Sequence, residues 1–267
     1  MWPPWPDRRC QLSSLDMRSR KVAFLGGNGH CAARLAAARR FLDGIELDES
    51  PYPGFEGRPR AASLGESLDV VSKHLQATKP DMIYGMGIAG LLVLCLRARG
   101  ELTATPTVLQ GPVLWGLEHR WMPKLMRLRP AQAAMRRVFA SQAFQRRFVR
   151  RYFIRRLDPE MAKAFFDGYA QCAAAPDFFA WFTPSLLRSL ERDLAARPAA
   201  LERIEVWWGG RDRVVTPREL EWTKQALKPA DSWPLRIFSG WGHYPMIDEP
   251  ASWASALTDA VANAGAV

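Results

Sequence analysis

Short apolar runs that stop at glycine clusters alternate along the chain with longer segments whose apolar residues recur every three to four positions. The first run, KVAFL from Lys21, ends at GGNGH (Gly26 to His30) and is followed by an Ala/Arg/Leu segment, CAARLAAARRFL. A short apolar run bounded by glycine predicts a strand buried on both faces, as in a parallel sheet. GIELDES gives a second strand, and the Pro/Gly-rich PYPGFEGRPRA a loop. SLGESLDVVSKHLQ opens a helix with a capping box, Ser63 followed three residues later by Glu66. The strand DMIYG then runs into a turn with glycines at 85, 87 and 90 and the helix AGLLVLCLRARG, which ends at a glycine. TPTVLQG is the next strand.

From 116 to 200 the patterns are helical throughout. The strand and helix alternation resumes with RIEVWWGGRDRVV, PRELEWTKQAL, PLRIFSGWGH and PASWASALTDAVANA. This order predicts an α/β fold, a doubly wound, mostly parallel sheet with an inserted helical cap. The expected division is a core over 21–115 and 201–267, a cap over 116–200, and a disordered Trp/Pro-rich leader over 1–20, with Met17 an alternative start. Apolar residues at 48% and charged residues at 24% fit an ordinary globular chain. Four scattered cysteines without a C-x-x-C pair indicate neither a metal cluster nor a disulfide framework. No metal or cofactor is expected. No signal-peptide core or membrane span is visible, so a cytoplasmic setting is expected.

Three loops at the expected carboxyl ends of strands carry most of the polar information, where open α/β sheets bind ligands. GGNGH has glycines that let backbone N–H groups approach a ligand oxygen, although a tight strand-to-helix turn would read the same way. WGGRDRVVTP places Asp212 after a strand, and SGWGHYPMIDEP places His243 after the last one. A surface turn and a satisfied loop histidine are the plain alternatives.

From about Lys21 onward the chain resembles the α/β-hydrolase fold. GGNGH is similar to its oxyanion loop, YGMGIAG to its nucleophile elbow, GGRDRVV to its acid turn and GWGHYPMIDEP to its histidine turn, in the order that fold uses. The resemblance implies His243 as general base, Asp212 as the acid orienting it, and oxyanion contacts from Gly27, Asn28, Met86 and Ile88. It implies a nucleophile at Gly87, which has no hydroxyl, thiol or carboxylate and forms no covalent intermediate. Cys31 and Cys95 read as core residues. Pocket positions are expected at His30, Trp115, Trp121, Phe144, Phe148 and Tyr244.

Net charge is +10, and twelve Lys/Arg with no Asp or Glu lie between Arg120 and Arg156. Such a segment steers anions. An acidic carrier protein, a coenzyme A thioester or an anionic membrane surface fits it, and nucleic acid fits least because no recognition motif accompanies the charge. Two functions remain open. One is an enzyme using the His/Asp pair for general-base chemistry on a small apolar carbonyl or acyl-thioester substrate, by non-covalent hydrolysis, cyclisation or a lyase-type step. The other is an inactive binding or scaffold protein, as in the NDRG family, which resembles the chain in having a glycine-rich elbow without serine.

Overall fold

The structure, a computed structural model, describes residues 19–49, 52–55, 57–113, 117, 119–171, 174–226 and 234–264. Residues 1–18 of the expected leader, with Met17, and the expected pocket residue Trp115 lie outside the described residues. Arg20 belongs to the first strand and pairs with Ile45, so the core begins one residue earlier than the sequence pattern indicated.

In chain order the elements are β1 (Arg20–Leu25), α1 (Ala36–Arg39), β2 (Ile45–Glu49), α2 (Leu64–Thr78), β3 (Met82–Met86), α3 (Ile88–Ala98) and β4 (Thr107–Gln110). Six helices follow: α4 (Trp121–Leu125), α5 (Arg129–Ala140), α6 (Gln142–Tyr152), α7 (Pro159–Gln171), α8 (Ala175–Trp181) and α9 (Pro184–Ala195). The sheet then resumes with β5 (Ile204–Gly209), α10 (Pro217–Ala226) and β6 (Leu235–Phe238), and the chain closes with α11 (Pro245–Asp248) and α12 (Pro250–Ala264). Among the described residues no strand lies between β4 and β5.

The strands form one sheet in the order β2-β1-β3-β4-β5-β6, and every pairing is parallel. The chain leaves β1 in one direction to make β2 and returns on its other side to make β3. The loops after β1 and β3 therefore diverge at a topological switch point, where open sheets bind ligands. These loops are GGNGH and the glycine turn at 87.

The central strands explain their own sequences. All five residues of β3 and all four of β4 are buried, as expected of strands covered on both faces. Helix α3, also buried along its whole length, packs behind β3. Its Arg97 is held by five hydrogen bonds, including Glu202 O at 2.8 Å and Thr107 Oγ1 at 2.7 Å. Tyr84 on β3 accepts a bond from Trp253 Nε1 on α12 at 2.9 Å, which ties the closing helix to the sheet. The capping box forms with a shift: Ser63 accepts from Glu66 N, while the Glu66 carboxylate accepts from Ala62 N.

Candidate active site

Gly87 stands between β3 and α3 at φ +57°, ψ −120°. Holding a residue with a side chain in such a conformation costs about 1 to 3 kcal/mol. The turn is anchored by neighbouring backbone: Gly87 N–H donates to Gln110 O at 2.9 Å, and Gly87 O accepts from Gly90 N at 3.1 Å and Val113 N at 3.2 Å. A Cβ placed on Gly87 would stand 3.5 Å from His243 Nε2, and that nitrogen is the nearest atom it would meet. The turn thus aims its absent side chain at the imidazole.

His243 follows β6, and Asp212 follows β5. Their side chains are buried and joined by a 2.8 Å bond between His243 Nδ1 and Asp212 Oδ2. Asp212 Oδ1 accepts from Val214 N at 2.7 Å and Val215 N at 2.9 Å, so both carboxylate oxygens are engaged. A carboxylate only accepts, which assigns the proton of the neutral ring to Nδ1 and leaves Nε2 as a base facing Gly87. Gly111, at the end of β4 with φ +47°, makes room for the pair. A Cβ there would lie 3.1 Å from Asp212 Oδ2 and 3.3 Å from His243 Nδ1.

A cavity of about 70 Å³ opens on Gly87 and His243. Gly27, Asn28, Met86, Ile88 and Tyr244 line it, so the structure brings together these five residues with the His/Asp pair. Ile88 begins α3, where a backbone N–H has no helical acceptor. Asn28 is fixed by its own side chain, which donates to Ala175 O at 2.9 Å.

The other expected pocket residues lie elsewhere. His30 turns toward β2, with Nε2 at 2.9 Å from Glu49 Oε2 and its ring packed on Phe24, and it does not line the cavity. Trp121, Phe144 and Phe148 line a separate apolar groove of about 450 Å³ among α4, α5 and α6. An aromatic wall explains the separation. Phe153 stacks on Tyr244 at 4.9 Å, and Phe165 meets Phe153 and Tyr244 at 5.1 Å each, filling the space between groove and cavity. Neither described cysteine reaches the cavity. Burial pushes the Cys95 thiol up to about 12, and Cys31 Sγ donates to Ala164 O.

By sequence, no family model and no curated protein matches the chain. By structure it matches a loop variant of the haloalkane dehalogenase DbeA from Bradyrhizobium elkanii at TM-score 0.68 and 15% identity, over 93% of this chain and 90% of that one. A variant of the meta-cleavage product hydrolase CumD matches at TM-score 0.64 and 17% identity, over 91% of both chains. A carboxylesterase structure from the thaumarchaeon Nitrososphaera gargenis matches at TM-score 0.63 and 15% identity, over 94% and 92%. The chain has the α/β-hydrolase fold. In that fold's terms, the sheet edge that carries Gly87, Asp212 and His243 is the edge where its loops meet.

Three groups that sequence reading did not single out belong to this edge. Arg34 and Tyr169 line the cavity. Asp248, buried in α11 beside the histidine turn, accepts from Ile154 N at 3.2 Å and Arg155 N at 3.3 Å through Oδ1, while Oδ2 has no partner among the described residues. Burial outweighs those two N–H groups and raises its pKa from 3.8 to about 6. A carboxyl whose folded pKa exceeds its unfolded one binds more protons when native, so its contribution to stability falls as pH rises from about 4 to about 6 and stays lower above that. Asp248→Asn keeps an oxygen for both N–H groups. Thermal unfolding above pH 6 should show this variant more stable by on the order of 1 to 2 kcal/mol after allowing for screening, with the wild type closing the gap below pH 4. A variant no more stable than wild type at pH 7.5 would refute the assignment.

Proposed function

We propose that the protein is a hydrolase-like enzyme in which His243, oriented by Asp212, activates water in place of a side-chain nucleophile. The observation that carries this reading is His243 Nε2 facing, at 3.5 Å, the point where a Cβ on Gly87 would be. The imidazole keeps its carboxylate partner, and the space in front of it admits a small molecule. Water needs about 10 to 15 Å³ of such space, so the cavity of about 70 Å³ holds water together with a small reacting group.

The step balances without a cofactor. A water proton passes to Nε2 as the oxygen forms a bond to a carbonyl carbon, and the carbonyl π pair moves onto its oxygen. Gly27, Asn28 and Ile88 line the cavity, and their backbone N–H groups are the donors we assign to that charge. Collapse breaks the bond to the leaving group, which takes the proton back from Nε2. Small acyl esters or acyl thioesters suit the volume. The hydrolytic names of the structural neighbours support the same class, and the fold alone does not choose among their chemistries.

The mass of the intact protein during turnover distinguishes water attack from covalent catalysis. Wild type should show no acyl adduct while product forms, and His243→Ala should abolish turnover. An acylated wild-type species would refute the reading. Absence of turnover on short-chain acyl esters and thioesters would favour a binding protein.

A further inference from the structure

Arg34 is 2% exposed and lines the cavity that holds His243 and Gly87. Its guanidinium lies over the Phe165 ring at 4.1 Å and near Tyr169 at 5.0 Å and Tyr244 at 5.9 Å. It has no carboxylate partner among the described residues. Its hydrogen bonds are two long ones, Nη1 to Asn28 O at 3.3 Å and Nη2 to Phe165 O at 3.5 Å, and Nε makes none. Arg97, buried equally well behind the sheet, also leaves Nε unbonded, but its two terminal nitrogens make five bonds to oxygens. Arg120, also at the cavity, is committed to Glu219, at 2.8 Å from Nε, and to Val214 O.

A guanidinium carries its charge into the interior, and desolvating it is costly. Contacts with aromatic faces return only part of that cost. Tyr244 does not neutralise it, since burial above all, and then Tyr169, hold its hydroxyl far above the usual tyrosine range. Asp212 is engaged by His243 and two N–H groups. What Arg34 lacks is an anion beside the reacting position.

We propose that Arg34 is the anion-binding residue of this cavity, and that the substrate or product of the site carries a carboxylate. The class follows from shape and charge. The Nε and Nη2 edge matches a planar carboxylate through two parallel bonds. One negative charge balances one guanidinium in an apolar cage, whereas a phosphate dianion would leave an excess buried charge. The inference rests on the proposed reading for the role of His243, but the binding it asserts does not.

Thermal shift of the full chain with acetate and propionate, against acetamide and propionamide at matched ionic strength, tests it. Carboxylates should raise Tm saturably in wild type, while the amides should not. Arg34→Met should weaken carboxylate binding about 10- to 100-fold, the worth of a charge-assisted hydrogen bond, with Arg34→Lys intermediate. If Arg34→Met does not fold, the acid and amide pairs on wild type decide alone. Equal shifts by acid and amide, unchanged binding to Arg34→Met, or a stronger shift with inorganic phosphate would overturn the proposal. Carboxylate binding without turnover would keep the subsite and sink only the proposed hydrolysis.

A different observation supports a second inference, at the groove among α4, α5 and α6. Trp121 is 65% exposed there, and Leu125 and Val138 are also exposed, although all three line an apolar groove. Of the twelve cations between Arg120 and Arg156, only Arg120 and Arg155 form ion pairs among the described residues, leaving ten. Arg147 and Arg151 stand at the groove itself. Exposed Trp and Leu beside Arg147 and Arg151, in a segment rich in cations without ion pairs among the described residues, match the headgroup and acyl boundary of an anionic bilayer.

We infer that this face docks on an anionic membrane surface. In co-sedimentation, the full chain should bind phosphatidylglycerol-containing vesicles and not pure phosphatidylcholine. High salt should weaken the binding several-fold, as should Trp121→Ser with Leu125→Ser, or Arg147→Gln with Arg151→Gln. No vesicle binding, equal binding to neutral vesicles, or full binding by the Trp121/Leu125 variant would overturn it. So would salt-sensitive capture of an acidic carrier protein with no lipid binding.

Discussion

Gly87→Ser is expected to convert the protein to covalent catalysis. The new Cβ would stand 3.5 Å from His243 Nε2, so a hydroxyl on it reaches hydrogen-bonding distance of that nitrogen by rotation about one bond. His243 is already held by Asp212, and Ile88 and the Gly27 loop already line the cavity. With p-nitrophenyl acetate the variant should release a burst of product, gain the mass of one acetyl group, and exceed wild type by about 10²- to 10⁴-fold in rate. The backbone at φ +57°, ψ −120° will charge about 1 to 3 kcal/mol of stability for the side chain. Gly87→Ala should lose the same stability without gaining activity, which separates strain from chemistry. A folded Gly87→Ser protein that neither acylates nor turns over would mean that His243 is not available as a base.

The sequence carried the sheet because its strands are apolar runs punctuated by glycine, and that punctuation is a local signal. It carried Asp212 and His243 for the same reason, since each lies in a glycine-rich turn directly after a strand. Gly87 was legible as a glycine at an elbow, but its φ and the direction of its missing Cβ are properties of the folded turn.

Arg34 was not legible. It is one of several arginines in an Ala-rich segment, and only the packing of Phe165 and Tyr169 from α7 buries it. Asp248 was hidden similarly, because its burial depends on backbone groups more than ninety residues away at Ile154 and Arg155. Trp121, Phe144 and Phe148 are expected in one pocket with Tyr244. The structure places those three in an outer groove and Tyr244 at the cavity, with Phe153 and Phe165 between, a distinction that helical periodicity does not contain.

The largest loss is expected from His243→Ala. Removing the imidazole removes the proposed base, leaves Asp212 as a buried carboxylate with only its two N–H partners, and leaves the Gly27 loop in place. General-base catalysis by a positioned histidine contributes about 10²- to 10⁴-fold, and kcat should fall by that factor with KM nearly unchanged, because no binding group is lost. The decisive measurement is the steady-state rate of wild type and His243→Ala on short-chain acyl esters and thioesters, with intact mass followed in the same reactions. The account predicts turnover by wild type without an acyl adduct and a hundredfold or greater loss in the variant, on the order set by that catalytic term. Comparable rates in the two proteins, or an acylated wild-type intermediate, would contradict it.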